Sequence, residues 1–370
     1  MASKPRFIGS EIYRQSSYGR THPLAIPRVS TVIDLGRALG WLPDDVYHDS
    51  PMASPEQLAR FHDPAYIAAL ARVERDQHAT ADDVERHNLG RHENPVYPEV
   101  YRRPATACGG SLMAAGLLLS GEATAVYSPA GGTHHGRPGR ASGFCYFNDP
   151  ALGILALLDG GLERIAYVDV DAHHGDGVED AFADDDHVLT VSVHEAGRWP
   201  LRGAGPQRQG ETVRNLGVPA GFNDTEMRLV TDTLLVPLVQ DFRPDAVVMQ
   251  CGADALAEDP LSKLALSNNA LVYAVTRVAS VAPRLMLLGG GGYNPWSVAR
   301  CWTRNWAALN GLAEPDRLPA AAEAVLRNLS WSRRAGRNPP DSWFTTLADP
   351  PREGPVGDTV RRALDIALAA

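Results

Sequence analysis

The sequence is poor in cysteine: Cys108, Cys145, Cys251 and Cys301 are its only four, far apart and without a C-x-x-C pair. That spacing excludes a disulfide framework and a thiolate zinc site, and it reads as four reduced thiols. No stretch reaches the roughly 18 consecutive apolar residues of a membrane helix. Residues 1–14 carry charges where a signal peptide has its apolar core. The expectation is a soluble, cytoplasmic protein without a membrane partner. A basic excess is also lacking, since 35 Lys and Arg against 44 Asp and Glu leave a formal net charge of −9. This balance argues against binding along a phosphate backbone, so no nucleic-acid partner is expected. A cationic substrate is compatible with it, although solubility alone is reason enough for the charge. Residues 1–310 show no internal repeat and no low-complexity linker.

What is present is a chain of 370 residues with 44% hydrophobic content, enough for a large core. Its 34 Gly and 28 Pro exceed the usual shares of about 7% and 5%, which points to many turns and long loops. Short aliphatic runs at 125–127, 165–170, 188–193, 246–250 and 284–288 each end in Gly, Asp or His and read as buried strands. Helix-like segments at 104–119, 150–158, 225–242 and 268–281 have the length of crossover helices. Strands alternating with helices predict an α/β fold, a mostly parallel central sheet with helices on both faces. We expect one domain over residues 1–370, with its core at about 5–310 and a C-terminal surface segment from 311. In that segment, 333–357 reads as an extended strap and 359–368 as a last helix.

The chemistry concentrates at the ends of the runs. Residues 165–177 read IAYVDVDAHHGDG, an apolar strand closing on Asp169, Asp171 and His173, which strand alternation puts on one side. Two carboxylates and an imidazole packed together repel one another and lose hydration, so a cation is the natural remedy; the plainer alternative is a solvated acidic loop. Asp254, closing the run VVMQCGAD, offers a further ligand. Asp171, His173 and Asp254 leave a coordination position open, as catalytic zinc requires. His134-His135 is a weak motif alone, but Asp169 and Asp176 can hold the two tautomers, and a water beside a metal needs a base. The run LLGGGGYN at 287–294 lets backbone approach a ligand, yet it lacks the Lys of a phosphate loop and the spacing of a dinucleotide fingerprint. Tyr293 is better placed as a donor to a developing oxyanion.

These motifs carry a resemblance. Gly132-Thr-His134-His135-Gly, Gly143-Phe-Cys-Tyr-Phe-Asn, Asp169-Val-Asp-Ala-His-His-Gly-Asp-Gly, Cys251-Gly-Ala-Asp254 and Gly289-Gly-Gly-Gly-Tyr293 are similar to the zinc-dependent histone deacetylase family of the arginase-deacetylase superfamily. The likeness covers residues 5–310 in order and is closest to the class I-like bacterial branch that includes the acetoin-utilisation deacetylases. It implies a three-layer arginase-deacetylase fold with Asp171, His173 and Asp254 on zinc, or on ferrous iron in the cell. It further implies that His135, paired with Asp176, is general base and then acid, that His134, paired with Asp169, tunes charge, and that Tyr293 polarises the amide carbonyl. Phe144 and Trp199 would flank a narrow tunnel lined by Gly143, although the family often has Phe where Trp199 stands. Glu93 takes a rim position where relatives have Asp. Arg28 matches an internal-cavity arginine, and Asp169, Asp171, His173, Ser192 and Val193 match a structural potassium site built partly from backbone oxygens. His174 is expected off the metal, in a structural hydrogen bond. His22, His48 and His194 have no partner legible in the sequence, and the histidines from 62 to 92 read as loop residues.

The resulting expectation is a metal-dependent amidohydrolase that removes acetyl groups from lysine side chains of proteins or peptides. Small acetylated amines such as acetylpolyamines are the alternative substrate. One polyamine-specific branch of the family has an acidic gatekeeper where this chain has Leu261, which favours acyl-lysine. An arginase-like ureohydrolase with two manganese ions would need another spacing of carboxylates after His173. A silent acyl-lysine reader would have lost a ligand, a histidine or the tyrosine, and none is lost here.

Overall fold

The computed structural model describes residues 4–19, 21–201, 207–209 and 212–368. Among the described residues, nine strands form one sheet: β1 Arg6–Gly9, β2 Tyr47–Asp49, β3 Ala125–Ser128, β4 Ile165–Asp169, β5 Val188–Glu195, β6 Gln207–Gln209, β7 Val213–Val218, β8 Ala246–Gln250 and β9 Leu285–Leu288. Their order is β2-β1-β3-β9-β8-β4-β5-β7-β6, parallel throughout except for the β6–β7 pair. The central strands β4, β8 and β9 are mainly apolar up to their carboxyl ends because both faces are covered. Alternation sends Tyr127, Ala166, Val168, Val247 and Met249 to one face, and Val126, Ile165, Tyr167, Val248 and Met286 to the other.

Each face has its own helices. Ala114, Leu118, Ile154 and Leu157, from the helices Arg102–Leu119 and Asp149–Asp159, cover the second face. The first is covered by Ile33, Leu271, Val298 and Trp302 from Val29–Ala38, Asn268–Ala279 and Pro295–Asn310. The three layers expected from the sequence are present.

Two elements differ from expectation. The helix expected at 225–242 is divided: Asp224–Val230 leads into a wider π turn, Thr231–Leu235, before Val236–Phe242. Pro237 lacks an N–H and its ring crowds the carbonyl one turn back, and the wider turn gives it room. The C-terminal segment is also more than a surface strap. Trp343 and Leu347 are buried against Trp296, and the Arg300 guanidinium donates to the carbonyls of Thr346 and Ala348 at 2.8 and 3.0 Å. The last helix, Asp358–Leu368, places Val360, Ala363, Leu364 and Ala367 in the main core.

The ladder registers align the strand ends that bear the chemistry. Asp169 pairs with Ser192 on β5 and with Gln250 on β8, while Leu288 on β9 pairs with Gln250 and with Ser128 on β3. The segments after β3, β4, β8 and β9 therefore leave the sheet side by side at its carboxyl edge.

Candidate active site

Asp169 is the last residue of β4; Asp171 and His173 follow it in the bend beyond, so the strand itself is shorter than its sequence signal. The alternation nevertheless persists. Asp171, His173 and Asp254 converge with candidate ligand atoms within 4.8 Å of one another, all buried, and they are the one such group among the described residues. His173 Nδ1 lies 2.8 Å from Asp254 Oδ2 and 3.3 Å from Asp171 Oδ1. Burial pulls the His173 imidazole down, but hydrogen bonds and charge from Asp171 and Asp254 outweigh it and push it up to about 10. Two buried carboxylates that demand positive charge, with an imidazole nitrogen between them, fit a divalent metal ion.

The four-glycine turn shapes this centre instead of cradling a phosphate. Gly291 N–H donates to Asp171 Oδ2 at 2.7 Å, and a Cβ on Gly291 would lie 2.0 Å from Asp254 Oδ2. Only glycine lets the backbone come so near the carboxylates.

His134 and His135 face the same centre from the loop after β3. Asp169 Oδ2 lies 2.7 Å from His134 Nδ1, and Asp176 Oδ1 lies 2.7 Å from His135 Nδ1. Their Nε2 atoms are 2.9 Å apart. Burial lowers both imidazoles. For His134 the charges of Asp169 and Asp171 outweigh burial and raise it to about 9; for His135 burial prevails, helped by the neighbouring His134, and lowers it to about 3. The pair thus splits into one imidazole that favours charge and one that stays neutral.

Several supports are invisible in the motifs. Tyr167 donates its hydroxyl to Asp169 at 2.7 Å, and the Gln250 side-chain amide donates to Asp171 Oδ2 at 3.3 Å. Arg137 pairs with both Asp176 and Asp180. Asp149 accepts the backbone N–H groups of Gly132 and Thr133 at 3.0 and 2.8 Å, fixing the turn that leads into the histidines. The i,i+2 spacing of Tyr167 and Asp169 on one strand face was a usable signal. The other three depend on long-range contact.

A cavity of about 330 Å³ opens above the centre, lined by Glu93, His135, Gly143, Phe144, His173, Arg198, Trp199, Leu261 and Tyr293. All five residues expected to meet substrate line it. The Trp199 ring stands 4.6 Å from the His135 ring, and Phe144 packs edge-on against Tyr293 at 5.9 Å. Gly143 and Phe144 are both left-handed, at φ 53° and 69°, which turns the Phe144 ring into the wall. Glu93 Oε1 accepts from Asn88 at 2.6 Å, so this rim carboxylate is anchored. A smaller chamber of about 40 Å³ lies deeper and includes Arg28, whose guanidinium donates to the Gly290 carbonyl at 2.7 Å.

Five further histidines, His22, His62, His87, His174 and His194, make structural contacts. His174 Nε2 lies 2.9 Å from Glu179, off the metal centre as expected, and its ring packs at a tilt 4.7 Å from His194, which pairs with Ser192 Oγ at 2.9 Å. His22 accepts the Leu24 N–H at 3.1 Å and packs against Phe144. Not all of the 62–92 group are plain loop residues. His62 is buried, joining the Arg137 carbonyl to the Asn148 N–H, and His87 closes the helix Ala81–His87 with Nδ1 2.7 Å from the Gly139 carbonyl.

A metal centre of two carboxylates and an imidazole, with paired histidines beside it at the carboxyl edge of a parallel sheet, defines a metal-dependent hydrolase of the α/β class. The comparisons narrow this: the histone deacetylase domain matches residues 22–309. The chain belongs to the histone deacetylase family. It is 35% identical to histone deacetylase 9 of Arabidopsis thaliana over 82% of this chain and 72% of that protein. It is 31% identical to the acetoin utilization protein AcuC of Bacillus subtilis over 91% and 89% of the two chains. The crystal structure of a homologue from Aquifex aeolicus superposes with a TM-score of 0.93 at 35% identity, covering 99% of this chain and 100% of that one. Two further relatives, from Caenorhabditis elegans and Arabidopsis thaliana, are longer, and the match spans 61% and 58% of them.

Proposed function

We propose that the protein hydrolyses the side-chain amide of acetylated lysine in proteins or peptides, releasing acetate and the free amine. The observation that carries this reading is the alignment, at the foot of one aromatic-walled cavity, of the Asp171–His173–Asp254 centre with His135 and Tyr293. Zinc, or ferrous iron, held by those three residues would supply Lewis acidity toward the acyl carbonyl and acidify a water.

The chain's own residues do the rest. His135, kept neutral with its Nδ1 proton on Asp176, takes a proton at Nε2 and returns it to the departing amine. His134, held by Asp169, keeps positive charge beside the developing oxyanion. Tyr293 donates its hydroxyl to that oxyanion. Phe144 and Trp199 pack along the methylene stem and exclude water, and Glu93 receives substrate backbone N–H groups at the rim.

Leu261, an uncharged wall at the mouth, supports acyl-lysine over an acetylpolyamine. Asp176 is held by His135 and Arg137, which disfavours an arginase-like second metal. Potassium fits near Asp169, Asp171, His173, Ser192 and Val193: no described backbone N–H bonds the carbonyl of Asp171 or His173, leaving oxygens to spare. We also read residues 1–370 as one domain, because the C-terminal helix shares the core of the sheet. Turnover of an acetyl-lysine peptide, acetylputrescine and acetylspermidine by one preparation tests the substrate. The peptide is expected to lead, and a higher kcat/KM on either polyamine would replace this reading with the alternative.

A further inference from the structure

Tyr293 follows four glycines, two of which, Gly290 and Gly292, are left-handed at φ 122° and 137°. Residues without side chains cannot place their successor by packing, so something else must fix where the tyrosine stands. On its own backbone, the Tyr293 N–H donates to Asp259 Oδ2 at 2.7 Å. The other oxygen of the same carboxylate accepts the Leu261 N–H at 2.9 Å. Asp259 is buried, 6% exposed, and its side chain spends both oxygens on backbone amides. Burying a carboxylate is costly, and here the return is a two-point clamp between the turn that bears Tyr293 and the segment that bears Leu261.

We infer that Asp259 is a positioning residue that locks Tyr293 in register with the tunnel wall, so that the hydroxyl meets the acyl oxygen of a seated substrate. The inference rests on the donor role proposed for Tyr293. A neighbouring carboxylate provides an internal comparison. Glu195 Oε2 accepts the Lys263 N–H at 2.8 Å and both its oxygens hold Arg198, so it anchors the far end of the same segment without touching the glycine turn. If Asp259 acts through Tyr293, its loss must depend on that hydroxyl, whereas loss of Glu195 must not.

The experiment is a double-mutant cycle on an acetyl-lysine peptide with Asp259→Asn, Tyr293→Phe and their combination, and a second cycle with Glu195→Gln. Metal content and melting temperature are followed in each protein. Asp259→Asn keeps one acceptor for two amides and is expected to lower kcat roughly five- to tenfold, with KM within about twofold and the metal retained. On the Tyr293→Phe background the same change is expected to cost less than about twofold, while Glu195→Gln has equal effects on both backgrounds. An Asp259→Asn cost that is the same with and without the hydroxyl, or absent in both, overturns the inference and leaves the donor role standing. An unchanged kcat in Tyr293→Phe overturns the donor role itself. Should Asp259→Asn not fold, Asp259→Ser, which retains one oxygen, enters the same cycle with the same outcomes.

Discussion

His134 and His135 are neighbours in sequence and in space and each has a carboxylate partner, yet the charges of Asp169 and Asp171 prevail over burial at His134, whereas burial prevails at His135. If His135 moves the proton, His135→Ala is expected to lower kcat by about 10² to 10⁴, and His134→Ala is expected to leave more activity. The reverse ranking would exchange the roles. Tyr293→Phe is expected to lower kcat by about 10² to 10³, the usual cost of one oxyanion donor. Asp254→Ala or Asp171→Ala should abolish metal retention and turnover together, with a cooperative melt surviving because the apolar core lies along the strands and not at their ends. Metal analysis of each purified variant checks this. Behind the centre, where His62 meets the Arg137 carbonyl, burial lowers His62 to about 4 from its usual 6.5, the nearby carbonyls only partly opposing it. The folded state therefore prefers neutral His62. Its contribution is complete above pH 6.5 and is lost as pH falls toward 4, a difference of about 3 kcal/mol. Chemical denaturation at pH 7 and pH 4 should show a smaller loss of stability in His62→Asn than in the wild type.

Elements were legible in the sequence in proportion to the length and apolar composition of their runs. β4, β8 and β9 are apolar nearly to their ends, β5 alternates aliphatic with polar residues, and the segments after β4, β8 and β9 carry Asp171, His173, Asp254 and Tyr293, so most of the site could be read with them. β7 contains Arg214 and Asn215, and β1 and β2 are three or four residues long; runs so short or so polar are not distinguishable from loops. The supports Gln250, Arg137 and Asp259 escaped because each is an ordinary polar residue whose partner lies on another element. The C-terminal segment reads as a surface strap because its polar composition hides Trp343, Leu347 and Leu364, which are buried in the structure. Removing Asp358–Leu368 uncovers Val360 and Leu364, worth about 1.5–3 kcal/mol each, and is expected to lower the melting temperature by several degrees. In the tunnel, Gly143→Ala would place a Cβ 2.2 Å from the Trp199 ring and 2.8 Å from His135. It should lower kcat/KM by at least about tenfold, a loss of 1.4 kcal/mol or more in the transition state. Adding Trp199→Phe should restore only part of this, because the conflict with His135 remains.

At the scale of the whole molecule, the net charge of −9 attracts cations over a distance of about 10 Å at 0.1 M salt. Raising ionic strength should therefore lower kcat/KM for acetylspermidine more steeply than for an uncharged acetyl-lysine peptide. Equal slopes would mean that the field does not reach the mouth. The strand order also has a consequence in time. β9 lies between β3 and β8, and the Gly291 N–H that holds Asp171 belongs to the turn after β9. A ribosome delivers β3, β4 and β8 first and must leave the gap between β3 and β8 unfilled until β9 emerges. The metal centre thus gains its last support late in synthesis, and a nascent chain carries its three metal-binding side chains well before it has the turn that closes around them.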